Sequence, residues 1–459
     1  MNDSSPTSAR WLRSIFTGWR MPTSRPVDTE GEGAESLIGF VLAAAVVGAL
    51  TGLAAGSFRV ALSYLSQWRT ALSGWAHGSG WGFLLVVLGC TASVTAAAAL
   101  VRRLEPQAEG SGIPHVEAVV AGRAEPGRFR ILPIKYVGGL LSMGGGLALG
   151  REGPSVQMGG SIAVIVASVT RRPMSDLRVL AAAGAAAGLA TAFNAPIAGG
   201  VFVLEELVKR FDPRTTIATL IASASGFGAA YPFVHSGTEF RMPALHDPQM
   251  SNAGWVLAVG VTAGVLGVLY NKALMFGLHV ADTSRWPAEA RAAAIGAAVG
   301  VLVWCAPDLA GGGDNLTQEA LLGHGAAGAV LGILALRFVL GAASYAAGTP
   351  GGLFAPMLVL GAYTGLLIGF AAEQLDATPP DSAALALIGM AAFFSATVQA
   401  PITGLILATE LTGTTNQLPP MLGACACAFL VAVALRSRPI YDLLTDRAAA
   451  LAVARGKPS

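Results

Sequence analysis

Long apolar stretches without charged residues dominate the pattern of this 459-residue chain. Because the roughly 20 residues of a membrane-crossing helix fit within each of them, the pattern predicts several membrane spans. Shorter segments rich in glycine, proline and charged residues separate these stretches and predict the connecting loops. The clearest apolar stretches are Ser36 to Ser57, Ala71 to Val101, Ala342 up to Glu373, and Ser382 to Thr409.

The composition agrees with a chain that lies mostly in lipid. Hydrophobic residues make up 53% and charged residues only 12% of the chain, whereas about a quarter of the residues in soluble domains are charged. Aromatic residues contribute 7% while glycine is abundant, which favours closely packed helices over a barrel with aromatic girdles. The predicted fold class is therefore an all-α polytopic membrane protein. A formal net charge of +2 gives no indication of a nucleic-acid partner.

Charged residues in the connections predict the orientation of the chain. Basic residues cluster at several connections and in the C-terminal tail, whereas Asp308 to Glu319 and Glu373 to Asp381 contain no lysine or arginine. By the positive-inside rule, the basic connections and both termini face the cytoplasm. The loop from His235 to Asn252 is expected outside. Residues 1–35 are expected to form a cytoplasmic tail, because the apolar stretch after Ser36 is too long for a cleaved signal peptide.

A repeated segment divides the apolar part of the chain into two related halves. Asn194 to Gly199 reads NAPIAG and Gln399 to Gly404 reads QAPITG, and a glutamate follows each copy at the same distance. Roughly forty residues upstream of each copy lies another segment punctuated by glycine and proline. Such paired segments are typical of transporters that bind their substrate near the membrane midplane. The predicted units are a transmembrane domain at 36–444, with repeats at about 36–230 and 252–444, and a cytoplasmic C-terminal tail at 445–459.

Three segments predict helices that begin inside the membrane. Glycine frees the backbone there, and proline fits the first turn of a helix. The first N–H groups of a helix carry a partial positive charge, which attracts an anion without holding it as tightly as a fixed lysine or arginine would. Several converging helix starts can therefore replace the water around an anion. The segments are Gly110 to Pro114, Gly150 to Pro154, and Gly351 to Pro356.

Together with Tyr441, these three segments resemble the four signature regions of the ClC chloride channel and transporter family, in the family's order. The resemblance extends from about Ser36 to Leu444 and best fits the prokaryotic chloride/proton antiporter type without cytosolic CBS domains. It implies a homodimer with one pore per subunit, in which tilted and broken helices form two inverted repeats. It also implies a multi-pass protein of the cell inner (plasma) membrane. Its partners would be chloride, protons and the lipid bilayer, and no cofactor is expected beyond chloride as the bound substrate ion.

The resemblance also implies two anion sites built from neutral hydroxyl and amide donors, which suit an ion that must leave again. From the sequence alone, Ser111 could instead cap a helix, and Tyr441 could anchor the chain at the membrane interface. The implied donors are the hydroxyl groups of Ser111 and Tyr441 and the amides of Leu353 and Phe354 for a central chloride, and the amides of Arg151, Glu152 and Gly153 for an outer site.

Two glutamates are candidates for gating and proton transfer. Glu152 lies at a predicted anion-attracting helix start, where an acid is costly unless it is protonated or satisfied. Its carboxylate can occupy the place of an anion and swing away on protonation, which would link chloride movement to proton movement. By the resemblance, Glu206 matches the position that exchanges protons with the cytoplasm, whereas Leu411 is its counterpart in the second repeat. Glu205 has a counterpart in Glu410, and we interpret these two as structural.

The preferred function is a secondary active chloride/proton antiporter, and the alternative is a passive chloride-selective channel of the same fold. The two candidate acids together favour exchange. An enzyme is not expected, because a hydrolase with Ser111 and His115 would need a nucleophile motif that the chain lacks. No metal site is expected either, since the cysteines and histidines lack ligand spacing. We also expect Glu117 and Lys135 to form a buried structural pair.

Overall fold

The structure is a computed structural model that describes residues 34–233 and 237–454. The described residues form α-helices joined by short 3-10 turns and loops, which confirms the predicted all-α fold. Most of the predicted N-terminal tail, His235 and residues 455–459 lie outside the described residues. The helices are α1 (Ala34–Ala76), α2 (Gly82–Leu104), α3 (Ile113–Val120), α4 (Ile131–Gly144), α5 (Glu152–Val169), α6 (Met174–Phe193), α7 (Pro196–Phe202), α8 (Pro213–Ala230), α9 (Ala253–Thr283), α10 (Ala288–Cys305), α11 (Asp314–Leu321), α12 (Ala327–Tyr345), α13 (Phe354–Leu375), α14 (Ser382–Val398), α15 (Pro401–Thr412), α16 (Leu418–Ala434) and α17 (Ile440–Ala454).

Spanning helices and shorter helices occur side by side in this fold. Seven of the described helices are long and apolar enough to cross a membrane. Helix α15, in contrast, has 12 residues and extends about 18 Å, less than the roughly 30 Å of a hydrocarbon core. The chain is therefore a multi-pass membrane protein in which some helices begin or end within the bundle, as predicted.

The two halves correspond helix by helix. Helices α2 to α8 have the same order as α10 to α16, and a long helix precedes each set. The central helix pair of each half packs through glycine. A Cβ atom at Gly159 of α5 would lie 2.0 Å from the carbonyl oxygen of Gly184 in α6, and one at Gly361 of α13 would lie 2.5 Å from that of Gly389 in α14. Backbones this close exclude any larger side chain and give both halves the same core.

The equal spacing of the two repeated glutamates has a structural cause, because each glutamate caps a helix of the other half. Glu205 accepts hydrogen bonds from the backbone N–H groups of Ile402 and Thr403 at the start of α15. Glu410 accepts hydrogen bonds from the N–H groups of Ile197 and Ala198 at the start of α7. A carboxylate satisfies the unpaired donors of a helix start and favours its dipole. This reciprocal exchange ties the two halves together.

A fully buried cation holds a loop in each half. Lys135 of α4 donates hydrogen bonds to the carbonyl oxygens of Ala108 (3.0 Å) and Gly110 (2.7 Å), just before α3. Arg337 of α12 donates to carbonyl oxygens within residues 309–312, just before α11. Since buried charges require partners, each cation fixes the loop that introduces a short helix.

The prediction that Glu117 and Lys135 form a pair was wrong. Lys135 points its ammonium group at loop carbonyl groups, while Glu117 contacts Arg123 Nη2 at 3.0 Å and the hydroxyl of Thr445 at 3.2 Å. Backbone carbonyl oxygens satisfy Lys135 without a carboxylate. The predicted domain boundary at 444 falls inside α17, which extends to Ala454. Thr445, the next residue of this helix, contacts Glu117.

Candidate functional site

Two backbone bridges bring the three predicted helix starts together. Gly110 accepts a hydrogen bond from the N–H group of Gly351 and donates one to the carbonyl oxygen of Thr349. Gly150 and Gly352 exchange hydrogen bonds of 2.9 and 2.7 Å in an antiparallel bridge. The segments that precede α3, α5 and α13 are therefore joined at one place in the core. Their first amides have no partner within their own helices and converge on the same region.

Glu152, the first residue of α5, lies against the start of α13. Its side chain is buried, and Oε1 accepts a hydrogen bond of 3.1 Å from the N–H group of Ala355. Its Oε2 is buried without a hydrogen-bond partner. A Cβ atom at Gly352 would lie 2.7 Å from Oε1, so only glycine leaves room for the carboxyl group. A carboxylate therefore occupies the position at which the helix start would otherwise attract a free anion.

Ser111 lies beside the first turn of α5. A Cβ atom at Gly153 would lie 2.8 Å from Cα and Cβ of Ser111, so the two segments touch. The Ser111 hydroxyl accepts a long hydrogen bond of 3.3 Å from the N–H group of Ile113. The backbone N–H group of Ser111 donates a hydrogen bond to the phenol of Tyr345. The serine thus contacts the first amide of α3, although Gly112 and not Ser111 occupies the N-cap position. Its own hydroxyl hydrogen is not needed for that contact, because the oxygen accepts.

Tyr441 lies in the core of the described residues. Its side chain is fully buried, and its ring lies 6.1 Å from that of Phe354 and 6.3 Å from that of Phe202, between ring centroids. Phe354 and Phe202 also pack edge to face at 5.1 Å. The Tyr441 hydroxyl has no hydrogen-bond partner, although buried phenols usually find one. The alternative of an interfacial anchor therefore does not fit, and the hydroxyl is free to donate to a ligand.

Arg151 is neutralised by acids that the sequence did not indicate. Its guanidinium donates to Glu239 and to Asp314, the latter at 3.1 Å, and its Nε donates to the carbonyl oxygen of Ala192. Glu239 also pairs with Arg59. Arg151, Glu152 and Asp314 line a cavity of about 280 Å³ that reaches the buried carboxyl group. The guanidinium is therefore engaged with partners from the protein itself.

A cluster of charged residues surrounds Glu206. Residues Val203–Leu207 form a π-helical turn, in which the N–H group of Val208 donates to the carbonyl oxygen of Val203. Glu206 is buried within this turn, and its Oε1 lacks a hydrogen-bond partner. Such turns often occur at functional sites. Its charged neighbours are Glu205, Lys209, Glu117 and Asp442.

The structure therefore gathers the residues predicted for the central site around one region and places Glu206 in a separate cluster. Asp442, Glu239 and Asp314 were not predicted as part of either group. Asp442 could have been noticed because it follows Tyr441 directly. Glu239 lies in a loop and Asp314 is the first residue of α11, and at neither position does the sequence indicate what the side chain contacts.

Comparison with known proteins identifies the family. Residues 92–433 match the family model described as voltage gated chloride channel. The chain belongs to the voltage gated chloride channel family. It is 35% identical over 431 residues to the H(+)/Cl(-) exchange transporter ClcA of Salmonella arizonae, with 89% of each chain covered. It is also 35% identical over 419 residues to the protein of the same name from Cronobacter sakazakii, again with 89% of each chain covered.

A solved crystal structure has the same fold. A crystal structure described as that of a slow cyanobacterial Cl⁻/H⁺ antiporter superimposes with a TM-score of 0.85 at 31% identity. The match covers 90% of this chain and 98% of the other. The predicted family and membrane fold are therefore confirmed, and the chain is a membrane transport protein rather than an enzyme.

Proposed function

We propose that the protein is a secondary active antiporter that exchanges chloride for protons. The observation that carries the proposal is the position of Glu152. Its carboxyl group accepts a hydrogen bond from a backbone N–H group in the first turn of α13, where an anion would bind. One group that competes with the anion and also binds a proton can couple the two movements. The relatives described as H(+)/Cl(-) exchange transporters support this assignment.

The central chloride would be held by neutral donors. These are the hydroxyl groups of Ser111 and Tyr441 and the amides of Leu353 and Phe354. The unpaired hydroxyl of Tyr441 supports this site, because it is buried beside Phe354 at the start of α13. An outer chloride would be held by the amides of Arg151, Glu152 and Gly153, which line or adjoin the cavity. No cofactor enters this scheme.

Protons would use a route that separates from the anion route at the packed rings of Phe202, Phe354 and Tyr441. Glu152 would take up protons at the cavity, and Glu206 would exchange them with the cytoplasm. Both carboxyl groups are buried, and each has an oxygen without a hydrogen-bond partner. An unsatisfied buried oxygen favours protonation, since the neutral acid is less costly to bury than the carboxylate. The second repeat has Leu411 at the position of Glu206, so only one half would provide this route.

Proteoliposomes with a chloride gradient test the proposal. The parent protein is expected to drive protons uphill, detected with a pH-sensitive dye together with a chloride electrode. Glu152→Ala is expected to keep chloride flux and lose proton movement, and Glu206→Gln to reduce proton movement preferentially. Glu125→Gln is the matched control, because it neutralises an exposed acid outside the site. Chloride flux in the parent without any proton movement would contradict antiport and establish the passive channel.

The assembly and the orientation belong to the same proposal. The family resemblance supports a homodimer in the cell inner (plasma) membrane, with both termini in the cytoplasm. Exposed apolar side chains on helix pairs from both halves provide a surface for a second copy or for lipid. Cross-linking in native membranes and cysteine labelling near each terminus test these statements. The exposed side chains include Ile197, Ile217, Leu220, Ile402, Leu422 and Leu430.

A further inference from the structure

The ion pair of Lys209 and Asp442, near Glu206, has no role in the chloride and proton routes proposed so far. Lys209 Nζ lies 2.7 Å from Asp442 Oδ1. Lys209 follows the π-helical turn that contains Glu206, and Asp442 directly follows Tyr441 at the start of α17. The pair therefore joins the segment that carries the inner carboxyl group to the segment that carries a chloride donor.

The backbone at Lys209 has a conformation that favours glycine. Lys209 has a φ of +55°, in the left-handed region that residues with a Cβ atom rarely adopt. In the second half, the residue with this conformation after the repeated glutamate is Gly413, with a φ of +70°. Glycine would remove the strain at position 209 but also the ammonium group. The lysine is thus held in an unfavourable conformation at the point where its charge has partners.

Lys209 is a cation shared by several acids. Besides its contact with Asp442, its ammonium lies 3.9 Å from Oε1 of Glu117 and interacts electrostatically with Glu206. Glu117 is held in turn by Arg123 and by the hydroxyl of Thr445. Without Asp442 to fix it, the ammonium would be free to leave this cluster for solvent, since the Lys209 side chain is 44% exposed.

We propose that Lys209 and Asp442 are a positioning pair that fixes Glu206 relative to Tyr441 and sets how many protons accompany each chloride. The inference rests on the proposed antiport. The pair makes no contact of its own with the central site; it acts by holding the π-helical turn against the start of α17. A shift of one segment is then transmitted to the other. Loss of the pair uncouples the two segments while leaving the donors of the chloride site in place.

The ratio of protons to chloride, measured in one proteoliposome assay, tests the pair. Lys209→Asn removes the charge with a residue that tolerates the left-handed conformation, and Asp442→Asn removes the partner. Each is expected to lower the ratio roughly two- to fivefold, the range for a partly exposed ion pair. Lys209→Arg keeps the charge and is expected to retain the parental ratio. The double variant is expected to fall no further than the worse single variant, because the two residues act as one unit.

Chloride flux in the same vesicles shows that each variant is folded. In a Glu206→Gln background, Lys209→Asn is expected to cause no further loss, since the pair acts through Glu206. An unchanged ratio in both single variants would overturn the inference while leaving antiport intact. A parallel fall of chloride and proton flux at a constant ratio would also overturn it, because that is the result of a purely structural role. Chloride flux without proton movement in the parent would overturn the proposed function and this inference together.

Discussion

Removing the reciprocal caps is expected to destabilise the two halves unequally. Glu205 accepts three hydrogen bonds, from the N–H groups of Ile402 and Thr403 and from the Thr403 hydroxyl at 2.6 Å. Glu410 accepts two, from the N–H groups of Ile197 and Ala198. A lost helix cap costs about 1 kcal/mol, and hydrogen bonds to a charged group contribute about 1.5–3 kcal/mol when they are well shielded. Both glutamates are partly buried.

We therefore expect the free energy of unfolding to fall by about 2 kcal/mol in Glu410→Ala and by about 3 kcal/mol in Glu205→Ala. We assign the larger effect of Glu205→Ala to the hydrogen bond from the Thr403 hydroxyl. Thr403→Val is therefore expected to reduce the difference between the two glutamate variants. Thermal unfolding in detergent, followed by tryptophan fluorescence, gives the measurement. In a protein of this size, 1 kcal/mol corresponds to a shift in Tm on the order of 1 °C.

The control for this prediction is Glu125→Ala, an exposed acid whose removal is expected to change stability by less than about 0.5 kcal/mol. If Glu205→Ala and Glu410→Ala shift Tm no more than this control does, the capping interpretation is refuted. A loss of proton coupling in Glu205→Ala at an unchanged Tm would likewise contradict it, since that outcome would assign Glu205 a transport role.

Three further predictions concern the central site and its supports. Gly153→Ala is expected to weaken chloride binding, measured by calorimetry, because its Cβ atom would lie 2.8 Å from Ser111 and cost about 1–3 kcal/mol; unchanged affinity would contradict the close contact. Ser111→Ala and Tyr441→Phe are each expected to weaken chloride binding and coupling, and full affinity in both would exclude the central site. Lys135→Met is expected to lower stability by about 2–4 kcal/mol, because two loop carbonyl groups lose their donor; an unchanged Tm would refute this.

The parts of the fold that follow from local sequence were predicted well. Apolar stretches of sufficient length predict membrane helices, and glycine followed by proline predicts where helices start, as at Gly150 to Pro154. The matched residues around Pro196 and Pro401 predicted two halves, and the structure shows the corresponding helices. The same register led to the structural interpretation of Glu205 and Glu410, although their partners in the opposite half could not be deduced from it.

The partners of charged side chains were less predictable. Lys135 and Glu117 were expected to form a buried pair, but the ammonium group of Lys135 donates to carbonyl groups of a loop. Sequence patterns report spacing along one element and not which backbone groups lack a partner. The contact of Arg151 with Glu239 was missed for a related reason, since the loop that carries Glu239 has no periodic pattern that would fix its position.

The π-helical turn makes the first half one residue longer than the second at an equivalent place. The left-handed residue comes four positions after Glu205, at Lys209, but three positions after Glu410, at Gly413. A protein made of two identical inverted copies would look the same from either side of the bilayer. This added residue, together with an acid that only one copy carries, gives the molecule a sidedness that duplication alone would not provide.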